Sequence, residues 1–362
     1  MKITKPTLLL DEAKCQNNLN RMKAKAVNTV FRPHFKTHQS VEIGEWFKEA
    51  GITNITVSSV SMATYFASHG WINILIAFPF NILETNAINE LPIMVEVFLT
   101  VESVETVKHL GQNIERNTNI YIKIDTGYHR TGLAADRNNT IEKILSEIEN
   151  YDNLKFTGFL AHFGNTYNAK NTLEIKHIYQ DSLRIMQTLK ERYYEKYPQL
   201  IISIGDTPSC SIINTFEGVD EIRPGNFIFY DLMQLQLGAC EEQDIALALA
   251  CPVTAIHPDR NEIVIYGGGV HLSKEFLIKH EGIKTFGKVV ELNETGWSKS
   301  LPDTFVSNIS QEHGVIKTTT EIIKKFKVGD IIGILPVHSC MTANLSNSYL
   351  SLEAKVLKKM RS

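Results

Sequence analysis

Over the first two thirds of the chain, short runs dense in β-branched and aromatic residues alternate with longer amphipathic runs. Eight of the short runs predict strands: TVFRPHFK (29–36), NITVSSV (54–60), INILIAFP (72–79), VEVFLTV (95–101), NIYIKIDTG (119–127), LKFTGFLAHF (154–163), LIISIGDTP (200–208) and DEIRPGNFIFYD (220–231). Helical patterns fall between most of them. SVEIGEWFKEAG (40–51) opens on a serine cap and is stopped by Gly51, and SVETVKHLG (103–111) has the same layout. NTIEKILSEIEN and IKHIYQDSLRIMQTLKERYYEKY are longer and clearly periodic. Eight alternating units in ~200 residues predict a closed parallel (β/α)8 barrel of the TIM type. An open doubly wound sheet is the alternative, which strand count alone does not exclude.

After about residue 235 the pattern changes. ALALACPVTAIHP, EIVIYGGGV, GKVVELN, TFVSNISQEHGVIKT, GDIIGILPVHSC and SYLSLEAKVL read as short strands broken by Gly, Pro and Asn, with no long helix. They predict an all-β domain. The first ten residues also read as a strand with no helix to follow and belong with that domain. The expected organisation is a barrel over 12–235 and a β domain made of 1–11 and 236–362.

Bulk properties narrow the classes. With 362 residues the chain exceeds one small core. Its net charge of −3, with scattered basic residues, gives no electrostatic case for nucleic acid or an anionic membrane. The longest apolar run, INILIAFPF, is far shorter than the ~20 residues of a spanning helix. The N-terminus does not read as a signal peptide. Five scattered cysteines read as reduced thiols in a cytoplasmic protein.

In a barrel, functional residues sit at the carboxyl ends of the strands. Those ends carry Lys36 and His38, Ser58–Ser59, Asp125–Arg130, His162–Tyr167, Gly205–Ser209 and Arg223–Tyr230. GDTPSCS (205–211) reads either as a strand-to-helix turn capped by Thr207 or Ser209, or as a nest of N–H groups and hydroxyls for a phosphate. RPGNF (223–227) is a second such turn. In PVHSCMT, His338 and Cys340 are spaced i, i+2, which on an extended segment puts both on one face. Imidazole and thiolate suit zinc, in an open site that keeps places for water and substrate. The other reading is a β-turn with a buried cysteine. YGGGVH (266–271) lacks a dinucleotide fingerprint. SQEHG (310–314) brings Glu312 and His313 together without assigning them a role.

Taken in order, KPTLLLD (5–11), RPHFKTH (32–38), KIDTGYHRTG (123–132), AHFGNTY (161–167), GDTPS (205–209), RPGNFIFYD (223–231), EHG (312–314) and PVHSCMT (336–342) resemble one family. It is the D-serine dehydratase and D-threonine aldolase family, of the alanine-racemase class of pyridoxal phosphate enzymes (fold type III). The resemblance spans nearly the whole chain.

The resemblance implies that Lys36 binds pyridoxal phosphate covalently, with cationic neighbours and partial burial favouring its neutral, nucleophilic form. It implies phosphate contacts from Gly205, Thr207, Gly225, Asn226 and Tyr230. Arg130 and His162 with Tyr167 would lie beside the cofactor, and Arg223 would face its pyridine nitrogen. His338 and Cys340 would hold the catalytic metal, zinc or another divalent ion such as manganese. Cysteine at that place resembles the dehydratase branch, where aspartate would look like the aldolase branch. The implied activity is a lyase acting on a β-hydroxy D-amino acid such as D-serine. A metal-dependent D-threonine aldolase and an amino-acid racemase are the alternatives, and a homodimer is implied by analogy. YGGGVHLSK (266–274) departs from the dehydratase pattern, which leaves the substrate open.

Overall fold

The protein is described by a computed structural model covering residues 3–278 and 282–360. Two compact units make it up, one of residues 20–225 and one of residues 1–19 with 226–362, so the first unit is inserted in the second.

A strand β1 (Thr7–Leu10) precedes the barrel and, against expectation, a helix (Glu12–Lys25) follows it directly, burying Cys15, Leu19 and Met22 at helical spacing. The eight expected barrel strands are all present. They are β2 (Val30–Phe31), β3 (Asn54–Val57), β4 (Asn73–Pro79), β5 (Glu96–Val101), β6 (Thr118–Asp125), β8 (Leu154–Ala161), β9 (Ile201–Ile204) and β10 (Glu221–Ile222), with a two-residue strand β7 (Leu133–Ala134) beside β6. They are parallel and run β2-β10-β9-β8-β6-β5-β4-β3.

A single parallel bridge, His34 to Thr56, joins the two ends of that order, which decides for a barrel over an open sheet. The seam is sewn from both sides. Arg32 N and His34 N donate to Ile222 O (3.0 Å) and Pro224 O (2.9 Å). On the other side, Thr56 N donates to Pro33 O (2.9 Å) and Phe35 N to Thr56 O (2.8 Å). Gly225 is required here, because a Cβ on it would lie 2.8 Å from Thr37 Oγ1 and 2.9 Å from His34 O. Beneath the seam the Arg32 guanidinium donates to Glu221 Oε2 at 2.5 Å, both residues being buried.

The helix Val41–Glu49 has its Ser40 cap, with the chain turning at positive φ at Gly51. Ser103 caps the helix Val104–Asn113, but Gly111 does not stop it as expected. Its bare Cα instead admits the Tyr151 ring, whose Cγ would lie 2.2 Å from a Cβ.

The second unit is one large antiparallel-dominated sheet, a separate two-stranded sheet (Leu277–Ile278 with Lys284–Thr285) and a few short helices. The strand Leu247–His257 pairs with Ile331–Pro336, with Glu262–Tyr266 and with β1 (Leu9 opposite Ala248). β1 also runs parallel to Ser348–Ser351. The N-terminal strand is thus held between strands from the far end of the chain. PVHSC departs from the expected extended run: the strand ends at Pro336 and a helix, Ser339–Leu345, begins directly after His338.

Removing one partner of the buried seam pair strands the other charge. Arg32→Met is expected to lower unfolding stability in urea by about 3–5 kcal/mol, with much of the loss recovered in Arg32→Met/Glu221→Leu.

Candidate active site

The predicted site residues divide between the units, and each group is described by itself. The barrel carries Lys36, Arg130, His162, Tyr167, Gly205, Thr207, Arg223 and Gly225. The other unit carries Asn226, Tyr230, His338 and Cys340.

Lys36 lies in the turn just beyond the seam and is exposed, not partly buried as expected. Phe35 turns inward against Phe47, Phe66 and Trp71, so its neighbour turns outward. His38 is buried in the same aromatic cluster, stacked on Phe47. Arg32 is engaged by Glu221 and by Asn73 Oδ1. The expected crowd around Lys36 therefore reduces to His34, whose Nδ1 accepts from Lys36 N at 3.4 Å.

The cations that matter come from elsewhere on the barrel. Burial, then the charges of Arg223, Arg130 and Lys36, lower the ammonium of Lys123 to about 8. Burial first, then the charges of Lys36 and Arg223, hold His34 and His162 well below the usual imidazole range, with Lys123 adding to the effect on His34 and Arg130 to that on His162. Two neutral imidazoles among four cationic side chains make this end of the barrel a receptor for anions. Lys123 was not foreseen. Its signal was an ionisable residue within the apolar strand NIYIKID, where it is 4% exposed.

Arg223 is fixed by its surroundings. Its Nε donates to Ser203 Oγ (2.7 Å) and its Nη2 to Ala161 O (2.6 Å), while Ser203 Oγ donates on to Glu221 Oε1 (2.6 Å). Burial lowers its pKa to about 10. Arg130 is exposed, lying over the Tyr128 ring at 5.1 Å. His162 Nδ1 meets Gly205 O, which places a proton on Nδ1 and leaves Nε2 as acceptor.

GDTPS opens the helix Thr207–Ile212, but its cap is Asp206, not Thr207 or Ser209. Asp206 Oδ1 accepts from Ser209 N (2.7 Å) and Thr166 Oγ1 (2.9 Å). This leaves Thr207 Oγ1 buried with no hydrogen-bond partner among the described residues, while the Ser209 hydroxyl is turned to the Asp206 carboxylate. Thr207 N donates to the Tyr167 hydroxyl at 3.4 Å. An orphaned hydroxyl at a helix start, on a cation-rich barrel end, fits a phosphate group. Gly205 has a packing reason as well, since a Cβ would lie 2.9 Å from Arg223 Cβ. Ser59, also foreseen, is the cap of the helix Val60–Ala67.

In the second unit, His338 is the N-cap residue of the helix Ser339–Leu345 but gives it no side-chain cap. Its imidazole hydrogen-bonds Cys340 instead. Burial lowers the His338 pKa, but the Cys340 bond and the charges of Cys340, Asp231 and Glu275 outweigh it and raise it to about 9. The capping comes from Asp231, whose Oδ2 accepts from Ser339 N (2.9 Å) and Ser339 Oγ (3.2 Å). Its Oδ1 caps a second helix, Leu232–Gln236, through Gln234 N at 2.9 Å.

Asn226, foreseen as a phosphate contact, gives its side-chain amide to Asp231 Oδ2 (2.6 Å), Ser339 Oγ (3.0 Å) and Cys340 Sγ (3.4 Å). Tyr230 is buried at φ +47°, an uncommon conformation for an aromatic residue. Among the described residues no group of three or more His, Cys, Asp or Glu is placed to hold a metal. Two adjoining soft and borderline donors fit an open divalent site completed by water or substrate. The glycine loop YGGGVH packs on EHG: Gly267 N donates to Glu312 O (2.9 Å) and His271 Nε2 lies 3.8 Å from Glu312 Oε2.

Two family models match the sequence: "Alanine racemase, N-terminal domain" over residues 10–232 and "Putative serine dehydratase domain" over residues 246–352. D-serine dehydratase of Dictyostelium discoideum is 29% identical over 374 residues, covering 95% of this chain and 92% of that protein. The structure of D-threo-3-hydroxyaspartate dehydratase from Delftia sp. HT23 is similar with a TM-score of 0.91 at 23% identity, covering 99% of this chain and 98% of that one. That dehydratase is also known as a histidine-to-alanine variant and as a cysteine-to-alanine variant in the metal-free form, at positions two apart. D-threonine aldolase from Filomicrobium marinum has a TM-score of 0.82 at 18% identity, covering 98% of this chain and 94% of that one.

Burial raises the Asp206 carboxyl from 3.8 to about 6 against its hydrogen bonds. A raised acid favours the folded state only while protonated, so its penalty is absent below pH 4 and complete above pH 6. In protein freed of bound cofactor, unfolding stability is expected to fall by about 2–3 kcal/mol across that window from this group. Asp206→Asn, which keeps the cap acceptor, is expected to lose that slope; an unchanged slope in urea titrations would exclude Asp206 as its source.

Proposed function

Because the chain belongs to the family of the alanine racemase N-terminal domain, we propose that it is a pyridoxal phosphate- and zinc-dependent dehydratase, converting a β-hydroxy D-amino acid such as D-serine to an α-keto acid and ammonia. The observation that carries this reading is the hydrogen-bonded His338–Cys340 pair within the region matching the serine dehydratase domain. A racemase has no need of such a pair. The dehydratase names of the Dictyostelium and Delftia relatives support it, as do the Delftia variants at a histidine and at a cysteine two positions on.

When bound, pyridoxal phosphate supplies an electron sink for charge at Cα, and zinc or another divalent ion such as manganese supplies a Lewis acid for the β-hydroxyl. Lys36 Nζ would hold the cofactor and, once free, would be placed to accept the α-proton. The hydroxyl of Thr207 would receive the phosphate, with Gly205 and Gly225 keeping the adjoining turns close. Arg223, immobilised by Ser203 and Ala161, would face the pyridine nitrogen. Arg130, His162 and Tyr167 would lie beside the ring. His338 and Cys340 would hold the metal, with Asn226 Nδ2 steadying the Cys340 sulfur. Loss of the α-proton and the β-hydroxide removes one water. Hydrolysis of the released enamine consumes one water and gives the keto acid and ammonia.

The second reading is a metal-dependent D-threonine aldolase, giving glycine and an aldehyde, favoured by the aldolase of Filomicrobium marinum among the structural neighbours. We place the enzyme in the cytoplasm as a homodimer. Among the described residues no helix is long and apolar enough to cross a membrane, and none of the five cysteines is in a disulfide.

The test is product analysis with pyridoxal phosphate and zinc, on D-serine and D-threonine separately. Keto acid and ammonia are expected, and glycine with acetaldehyde from D-threonine would establish the aldolase instead. Cys340→Ala is expected to reduce turnover at least 100-fold; unchanged turnover would remove the metal from the reaction.

A further inference from the structure

The helix Ser339–Leu345 has only seven residues, and the residue at its N-cap is one of the two proposed metal ligands. His338 gives the helix no side-chain cap, and a free helix of this length is unstable in water. Its ends must be held from outside. Asp231 holds the first end by accepting from Ser339 N and Oγ. The middle is tied by Thr342 Oγ1, which donates to Leu272 O at 3.0 Å.

The last end is held by a residue close to the chain's C-terminus. Lys359 Nζ donates to Ser346 O at 2.9 Å and also to Ala343 O. The ammonium is buried at 6% residue exposure and lies 5.8 Å above the Tyr349 ring centre. A carboxylate at the N-terminus and an ammonium on the final carbonyls both match the helix dipole. A buried lysine that bonds main-chain carbonyls is costly to keep charged, and burial lowers this one to about 8.

We propose that Lys359 is a positioning residue for the metal pair: by clamping the C-terminal end of the helix Ser339–Leu345 against the Asp231 cap at its start, it fixes Cys340 relative to His338 and sets the affinity for a divalent ion. The inference rests on the proposed metal site. Outer-shell groups that orient ligands typically control metal affinity by 10- to 100-fold.

The test uses the full-length holoprotein, stripped of metal with a chelator and titrated with zinc against a chromophoric competitor. Lys359→Met is expected to bind zinc at least about tenfold more weakly. Lys359→Arg, which keeps a charged donor, is expected to recover most of that loss. The visible absorbance of bound pyridoxal phosphate is expected to be the same in all three proteins, since the clamp acts on the metal helix. A general loss of structure would shift that absorbance too and would not be rescued by arginine. Should Lys359→Met fail to fold, Lys359→Gln keeps an N–H donor without the charge and is expected to weaken zinc binding several-fold. Parent-like zinc affinity in Lys359→Met or Lys359→Gln, with Cys340→Ala losing it, would overturn the clamp and leave the metal site standing. No zinc binding by the parent protein would overturn the metal reading and the clamp with it.

Discussion

Everything at the carboxyl end of the barrel depends on how the barrel closes. One short segment, Arg32 to Phe35, hydrogen-bonds both the last strand and the second one, and no long ladder assists it. The closure needs a bare Cα at Gly225, so that the turn after the last strand can reach His34 and Thr37. It also needs the buried Arg32–Glu221 pair beneath it. Glu221 then reaches through Ser203 to Arg223, so the seam and the arginine share one hydrogen-bond chain. Lys36 follows directly on the seam. Its placement is a by-product of barrel geometry, reached without burial and with His34, not Arg32, beside it.

The sequence was most informative where a period or a cap decides the outcome. All eight barrel strands, the Ser40 and Ser103 caps and the pairing of the first strand with the last part of the chain could be read from it. It misled where one residue's meaning depends on a distant partner. Gly111 looks like a stop until Tyr151 is seen occupying its missing side chain. His338 and Cys340 look like neighbours on a strand. They meet because Asp231, more than a hundred residues earlier, caps the helix that starts between them. Lys123 is one ionisable letter in an apolar strand, and only the barrel shows that Arg130 and Arg223 share its surroundings.

Electrostatics in the two halves differ in kind. The barrel end collects positive charge and keeps its histidines neutral, an arrangement that costs stability unless an anion is present. The His338–Cys340 helix balances its charges locally, with Asp231 at one end and Lys359 at the other. An anionic ligand therefore stabilises the first region chiefly by relieving repulsion. The second is already compensated and stays ordered by its own contacts.

The placement of β1 has a consequence for synthesis. This strand is made well before its partners: the antiparallel one at Leu247–Ala250 and the parallel one at Leu350–Ser351 emerge only after the whole barrel has been made. The barrel can condense as its strands appear, each finding a partner one unit away. The nascent β unit must wait with an apolar strand, TLLL, exposed at its leading end. Ser348–Ser351 directly follows the His338–Cys340 helix and is itself followed by Lys359, so that helix gains the hold on its far end only after the barrel and most of the β unit have been made. A ribosome-bound chain would thus form its cation-rich barrel end long before its His338–Cys340 helix is fastened at both ends.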